Sequence, residues 1–362
     1  MASTLPNPAS PSDSSEMNVP EIPLGVRVER QRALGPAGQP GTILVHCLVG
    51  TEMRELEGAA AIAALPDLVG APKASVWVDL IAPTPMQAAK VGEGLGLHPL
   101  IIEDVLEGNQ RAKIETTDDV VHIVLFHLNY GETVVASELD IVLGPGYLLT
   151  VHNTDWDPMT GHHLANGLAP ILKHGPDHLL WAIADDLIDG YFPFADQIGD
   201  AIDEIQDEVV RKATPDTVER LFKLKRELIQ VRRAISPVRE VFNQLTNRDE
   251  QVIDEDEIVY FRDIYDHVIR LTDELDNYRE LASATLDVYL TQVNNNLSVI
   301  MKRLTGVTVI LAGIGAVAGI FGMSEAGNAF NGGEAAGFWV VTAVTVMLAV
   351  GAAAVLHRID WI

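Results

Sequence analysis

LTGVTVILAGIGAVAGIFGMS (residues 304–324) and AAGFWVVTAVTVMLAVGAAAVL (residues 335–356) decide the class of this chain. The first runs for 21 residues and the second for 22 without a charged side chain. Wound as helices rising about 1.5 Å per residue, each is about 32 Å long, enough to cross a hydrocarbon layer about 30 Å thick. A buried helical hairpin in a large soluble protein is the alternative, but two such stretches back to back are rare in soluble domains. Residues 325–334 between them contain no Lys or Arg, whereas Lys302 and Arg303 precede the first stretch and Arg358 follows the second. That asymmetry predicts a multi-pass protein of the cell inner membrane with both termini cytoplasmic and a short loop outside.

Away from the spans the chain is acidic. Its 362 residues hold 51 Asp plus Glu against 25 Lys plus Arg, a net charge of -26, which opposes approach to a nucleic-acid backbone and attracts cations. The single cysteine, Cys47, can close no internal disulfide and forms no CxxC metal motif, which fits a reducing compartment. Residues 1–36 are rich in Pro and Ser, with no basic segment leading into an apolar core; they read as a disordered tail without a signal peptide. Strand patterns follow at 42–49, 76–80, 120–129, 138–143 and 147–152, with a helical stretch at 86–95, so 37–155 is expected to be a cytoplasmic mixed α/β domain.

Residues 156–303 are expected to form a cytoplasmic helical bundle and stalk. Helical patterns cover 178–211 and 218–245, the second opened by Thr214-Pro215-Asp216. From about Ile258 the apolar residues Ile264, Val268, Leu271, Leu275, Tyr278, Leu281 and Leu286 recur at helical spacing, with no proline before the membrane or within the first span. One helix is therefore predicted from there to Ser324, of order 100 Å long and supported laterally by other helices. Within it Met301, Thr308, Gly315 and Gly322 recur every seven residues beside Thr305, Ala312 and Gly319. Such a small face either lets helices approach closely or lines an axial channel. Two spans enclose no aqueous route alone, so conduction demands an oligomer in the lipid bilayer. Met301 and Leu304 mark a narrow apolar gate, with core packing as the other reading. After the first span 325–334 forms the outer loop, 335–356 the second span and 357–362 a cytoplasmic end.

An ordered set of short motifs resembles the CorA family of magnesium and cobalt transport proteins. It comprises Trp77-Val-Asp-Leu80 with Pro83-Thr84, Leu97-His-Pro-Leu100, Glu103-Asp104, Gln110-Arg-Ala-Lys113, Asp189-Gly-Tyr-Phe-Pro193, Ile235-Ser-Pro237, Arg239-Glu240, Tyr260-Phe-Arg-Asp263, Tyr265-Asp-His267 and Phe321-Gly-Met-Ser324. The resemblance runs from about Gly41 to the end. It implies a funnel-shaped homopentamer: a cytoplasmic α/β domain, a long helical stalk and two transmembrane helices per chain, the first lining the pore. It also implies a filter at Gly322, Met323 and Ser324, where the family carries Gly-Met-Asn. A serine hydroxyl is shorter than the asparagine amide and a weaker acceptor, so five of them make a wider and less strongly coordinating ring. The Met-Pro pair usual midway along the first span is here Ala312-Gly313, and Arg358 stands in place of a lysine cluster, which marks a divergent branch.

By the same resemblance Asp104, with Glu103 beside it, and Asp263 match carboxylates that bind regulatory divalent ions between subunits; the alternative is ion pairs and solvent. Transport of hydrated Mg²⁺ is expected, because Mg²⁺ sheds water reluctantly and the pore offers oxygen donors. Co²⁺ and Ni²⁺ are the next candidates, and Zn²⁺ follows from the zinc-transporting branch; a non-conducting divalent-cation sensor is the rival function. Glu325 and Glu334 would form an outer acidic ring. His162-His163 with His152 lack the spacing of a zinc site, and His357 reads as interfacial. No nucleophile, base and orienting residue form a motif and no phosphate loop follows a strand, so an enzyme is not expected.

Overall fold

The computed structural model describes residues 29–35, 39–108, 111–130, 134–212, 214–246, 253–323 and 334–358. The tail at 1–28, Ser324, Glu325 and the rest of the outer loop to 333, and 359–362 lie outside the described residues. An eight-stranded mixed sheet forms from β1 (Glu29–Gln31), β2 (Thr42–Val49), β3 (Glu52–Glu57), β4 (Ala74–Ile81), β5 (Lys113–Thr117), β6 (Val120–Tyr130), β7 (Val134–Gly144) and β8 (Tyr147–His152). Its order is β3-β2-β4-β8-β7-β6-β5, with β1 paired to β7. The β4–β8 and β1–β7 pairs are parallel and the rest antiparallel.

Strand alternation sends side chains to two separate cores. Val76, Val78 and Leu80 of β4, with Leu149 and Val151 of β8, meet α1 (Gly58–Val69), α2 (Pro85–Leu95) and α3 (Pro99–Glu107) on one face. Trp77 and Leu148 point the other way, into the core shared with the C-terminal helices. Because both faces are covered, β4 and β8 are apolar almost throughout. β3, with sequence EMRELE, is an exposed edge whose charges discourage further pairing.

One polar network is sealed in this sheet. The Trp77 indole donates to Thr150 Oγ1 at 2.9 Å, and that hydroxyl donates to Asp79 Oδ1 at 2.5 Å. His152 reaches the same Asp79 oxygen through Nε2 at 3.1 Å and the Asn153 carbonyl through Nδ1 at 2.6 Å. Both ring nitrogens thus face acceptors, which calls for a proton on each. Burial pulls the His152 imidazole down, but the bond and charge of Asp79 outweigh it and hold the group above its ordinary value.

The C-terminal half is helical: α4 (Leu168–Leu172), α5 (Pro176–Asp189), α6 (Tyr191–Lys212), α7 (Pro215–Leu245), α8 (Ile258–Met323) and α9 (Glu334–Arg358). The single helix expected over 178–211 is two, divided at Gly190. Pro193 has no N–H to donate, and a restart puts it in the first turn of α6, where that N–H would be unpaired anyway. Thr214 caps α7 by accepting from Thr217 N at 3.3 Å. α8 is unbroken for 66 residues. Phe261, Ile264, Val268, Leu271, Leu275 and Ala282 bury its upper part against α5, α6 and α7, while Leu281 of the expected stripe is turned out, 42% exposed. Arg232 of α7 clamps Asp276 of α8 with two bonds of 2.7 and 3.1 Å and holds that carboxyl below its usual range.

A raised histidine stabilises the fold below its unfolded value of about 6.5 and loses that contribution as pH rises through the folded value. Asp79→Asn should therefore lower stability by about 1–3 kcal/mol in mildly acidic buffer. Melting curves of the detergent-solubilised protein should show wild type and variant converging as the buffer becomes alkaline.

Candidate functional site

Ile310, Gly313, Ile314 and Val317 of α8 line a groove against Thr345, Leu348, Ala349 and Ala352 of α9. At about 100° per residue, Met301, Leu304, Thr305, Thr308, Ala312, Gly315 and Gly319 fall on the opposite side of the rod. All seven are exposed in the single chain. A Cβ added at Gly315 or Gly319 would meet nothing within 4 Å, so packing on α9 does not require their small size. Outward apolar side chains dominate both spans, with Ile320 and Trp339 each 67% exposed and Met347 75%. That excludes the buried hairpin of a soluble core and demands lipid or neighbouring chains. Gly322 and Met323 complete α8, and Glu334 opens α9.

Asp104 sits on α3, whose start His98 caps by accepting from Leu100 N at 3.2 Å. Lys113 Nζ lies 2.6 Å from Asp104 Oδ2 and 3.0 Å from Glu115 Oε2. Burial pulls the Lys113 ammonium down, yet its bonds to Asp104 and Glu115 raise it above the usual lysine value. One donor atom from each of Asp104, Glu115 and His122 lies within 4.8 Å of the others, so this ammonium occupies a place suited to a cation. His122 is anchored by a buried bond of 2.9 Å from Nε2 to Asp140, whose carboxyl burial pushes up. Glu103 is exposed beside this group.

Asp263 points away from the core of its own chain, its side chain 69% exposed and 3.8 Å from His267 Nε2. Asp104 and Asp263 thus have different ion-pair partners within the chain, Lys113 and His267. His267, on the next turn of α8, joins Asp185 and Asp189 of α5, again with donor atoms within 4.8 Å. Asp185 Oδ1 and His267 Nδ1 are buried there without a hydrogen-bond partner. Two carboxylates four residues apart on one helix face and a histidine on the stalk are a donor set that a divalent ion can use. Sequence reading missed it, although Asp189 and His267 stood in two of the quoted motifs; the signal was the spacing of four between Asp185 and Asp189.

Residues 72–358 match the family described as CorA-like Mg²⁺ transporter protein. Over 241 residues the chain is 34% identical to the cobalt/magnesium transport protein CorA of Thermotoga maritima, covering 65% of this chain and 68% of that protein. It is 24% identical over 326 residues to the zinc transport protein ZntB of Yersinia pseudotuberculosis, 85% of this chain and 94% of that one. In structure it is similar to the complete CorA magnesium transporter from Methanocaldococcus jannaschii, with a TM-score of 0.72 at 20% identity over 88% of this chain and 98% of that one.

A metal ion on Asp104 Oδ2 would compete with the Lys113 ammonium. Lys113→Met should lower the Mg²⁺ concentration giving half-maximal protection from proteolysis by up to about fivefold, since a partly exposed ion pair is worth about 0.2–1 kcal/mol. Limited digestion across a Mg²⁺ titration measures it, and an unchanged midpoint would leave the lysine as a structural partner only.

Proposed function

The chain belongs to the CorA-like Mg²⁺ transporter proteins and moves divalent cations across a lipid bilayer, and from that premise we propose that it does so as a homopentamer. Its pore is lined by the side of α8 turned away from α9. The observation that carries this reading is the exposed row of hydroxyl and small residues on the side of α8 opposite α9. Ile310, Gly313, Ile314 and Val317 meet α9, while the opposite side offers Thr305, Thr308, Ala312, Gly315 and Gly319 to neighbouring chains or to an axis. Two spans per chain enclose no channel, and the exposed Val288, Leu297 and Ile300 of the lower stalk call for the same partners. Five is the number that the family resemblance implies. Met301 and Leu304 close the pore by excluding water, and Gly322, Met323 and Ser324 form the entry filter.

Mg²⁺ leads as the cargo, passing with its water shell, because the donors along this side are hydroxyl and carbonyl oxygens. Co²⁺ and Ni²⁺ are secondary cargoes; Zn²⁺ is less supported, since the identity to the zinc transport protein is 24% against 34% to the cobalt/magnesium one. Regulation rests on Asp104 and Glu103 of one chain facing Asp263 of the next, where a hard cation relieves carboxylate repulsion. Asp185, Asp189 and His267 supply an adjoining site one turn further along the same stalk. Glu325 and Glu334 attract cations at the outer mouth. The basic Lys302, Arg303 and Arg358 keep both ends of the membrane domain on the cytoplasmic side of the cell inner membrane.

Mass measurement in mild detergent should give five chains per particle; a monomer or dimer would remove the pore. Purified protein in liposomes should pass Mg²⁺ under an imposed potential, and zero flux would favour the non-conducting sensor. Ser324→Asn should make flux saturate at lower Mg²⁺ and Ser324→Ala at higher Mg²⁺, with assembly intact in both. Equal half-saturation in all three proteins would take residue 324 away from the ion.

A further inference from the structure

Between β8 and α5 the chain passes through Gly161, His162 and His163, and this loop is moulded around the carboxylate of Asp186. The backbone N–H groups of His162 and His163 donate to Asp186 Oδ1 at 3.2 Å and Oδ2 at 3.4 Å. A Cβ on Gly161 would collide with the same carboxylate, so glycine is what lets the loop close over it. His162 Nδ1 also meets Asp186 Oδ1. The two imidazoles lie 3.8 Å apart between centroids, and His163 rests on Trp181 at 4.4 Å. One donor atom from each of His162, His163 and Asp186 lies within 4.8 Å of the others. His152, by contrast, is committed to Asp79 and the Asn153 carbonyl.

We infer that His162, His163 and Asp186 form a binding site for a divalent transition ion of the Zn²⁺, Co²⁺ or Ni²⁺ class, distinct from the oxygen-rich sites for Mg²⁺. Two imidazoles and one carboxylate are a donor set that such ions prefer and Mg²⁺ does not. The surroundings are those of a built site. Asp186 is held by the loop with its side chain only 6% exposed, while His162, at 62%, reaches that carboxylate from the solvent side. Asp185 accepts from His163 Nε2 at 2.7 Å, the outer carboxylate that metal-bound histidines keep, which leaves Nδ1 for the ion. The second oxygen of Asp185, Oδ1, is buried and without a hydrogen-bond partner, and Asp185 also groups with Asp189 and His267. One carboxylate therefore joins the histidine loop to α8, and an ion drawn to His163 acts on the stalk through Asp185. This inference goes beyond the transport reading and is independent of it, because binding at the loop would be seen in a protein that conducts nothing.

The test uses the full-length protein in detergent with Mg²⁺ in large excess, so that the oxygen sites are filled, and titrates Co²⁺ while recording its visible d–d absorption. Wild type should develop a nitrogen-ligand band that Mg²⁺ leaves in place and Zn²⁺ bleaches. The exposed His162→Ala, and His163→Gln, should each weaken Co²⁺ binding by at least about tenfold, the lower end of what the loss of even an outer partner costs. Asp186→Asn, which keeps an oxygen for the loop N–H groups, should weaken it too. An absent band, a band that excess Mg²⁺ abolishes, or an unchanged band in both histidine variants would overturn the site. Mg²⁺ flux that persists in His162→Ala would show the transport reading standing apart from this one.

Discussion

A polypeptide inside hydrocarbon has to satisfy every amide from its own backbone, and in this chain that requirement extends beyond the bilayer. α8 enters the membrane already helical, because its upper turns are packed through Phe261, Ile264, Val268, Leu271 and Leu275. No proline interrupts the 66 residues, so the ladder of hydrogen bonds is continuous from soluble core to outer end. The remaining helices are arranged around that rod. α5, α6 and α7 cover one part of it, α9 covers a side of the span, and what they leave bare is the surface available to other chains.

The acid surplus divides along similar lines. Several carboxylates have internal partners that hold elements together. Glu257 bonds His178 Nδ1 at 2.8 Å and fastens the head of α8 to α5, and Asp177 accepts from the backbone N–H groups of His178 and Asp254, both at 3.0 Å. Others, such as Asp263, lie on the surface of the rod. A negative charge left on the surface of the rod costs free energy if another copy's carboxylate comes near it, and in the proposed assembly a cation would relieve that cost.

Elements were legible wherever their apolar residues form a run or a stripe. β2 and β8 run over the predicted residues 42–49 and 147–152, and α8 begins at the predicted Ile258. β3 and β5 were not foreseen, because EMRELE and KIETT alternate nothing apolar on an exposed edge. α1 was missed because GAAAIAALPDLV is apolar on nearly every side and holds Pro66. Of the polar groups, those inside a short motif could be found, as with Glu103-Asp104. The partners that give them meaning could not: Lys113 lies nine residues from Asp104, and Asp186 lies 23 from His163. Ring orientation and hydrogen bonding bring such residues together, and neither has a periodicity to read.

The continuity of α8 also bears on how such a chain can change length. Residues 263 and 267 belong to the soluble end, residues 304–319 to the span, and a single helical ladder fixes the angle between the two groups. One residue inserted between them turns every residue beyond by about 100°, and would bring the side bearing Ile310 and Ile314 toward where Thr308 and Gly315 had been. Seven residues, or eleven, return the rod to within about 20° of its former phase. A change of stalk length that keeps the two groups in phase is thus confined to such steps.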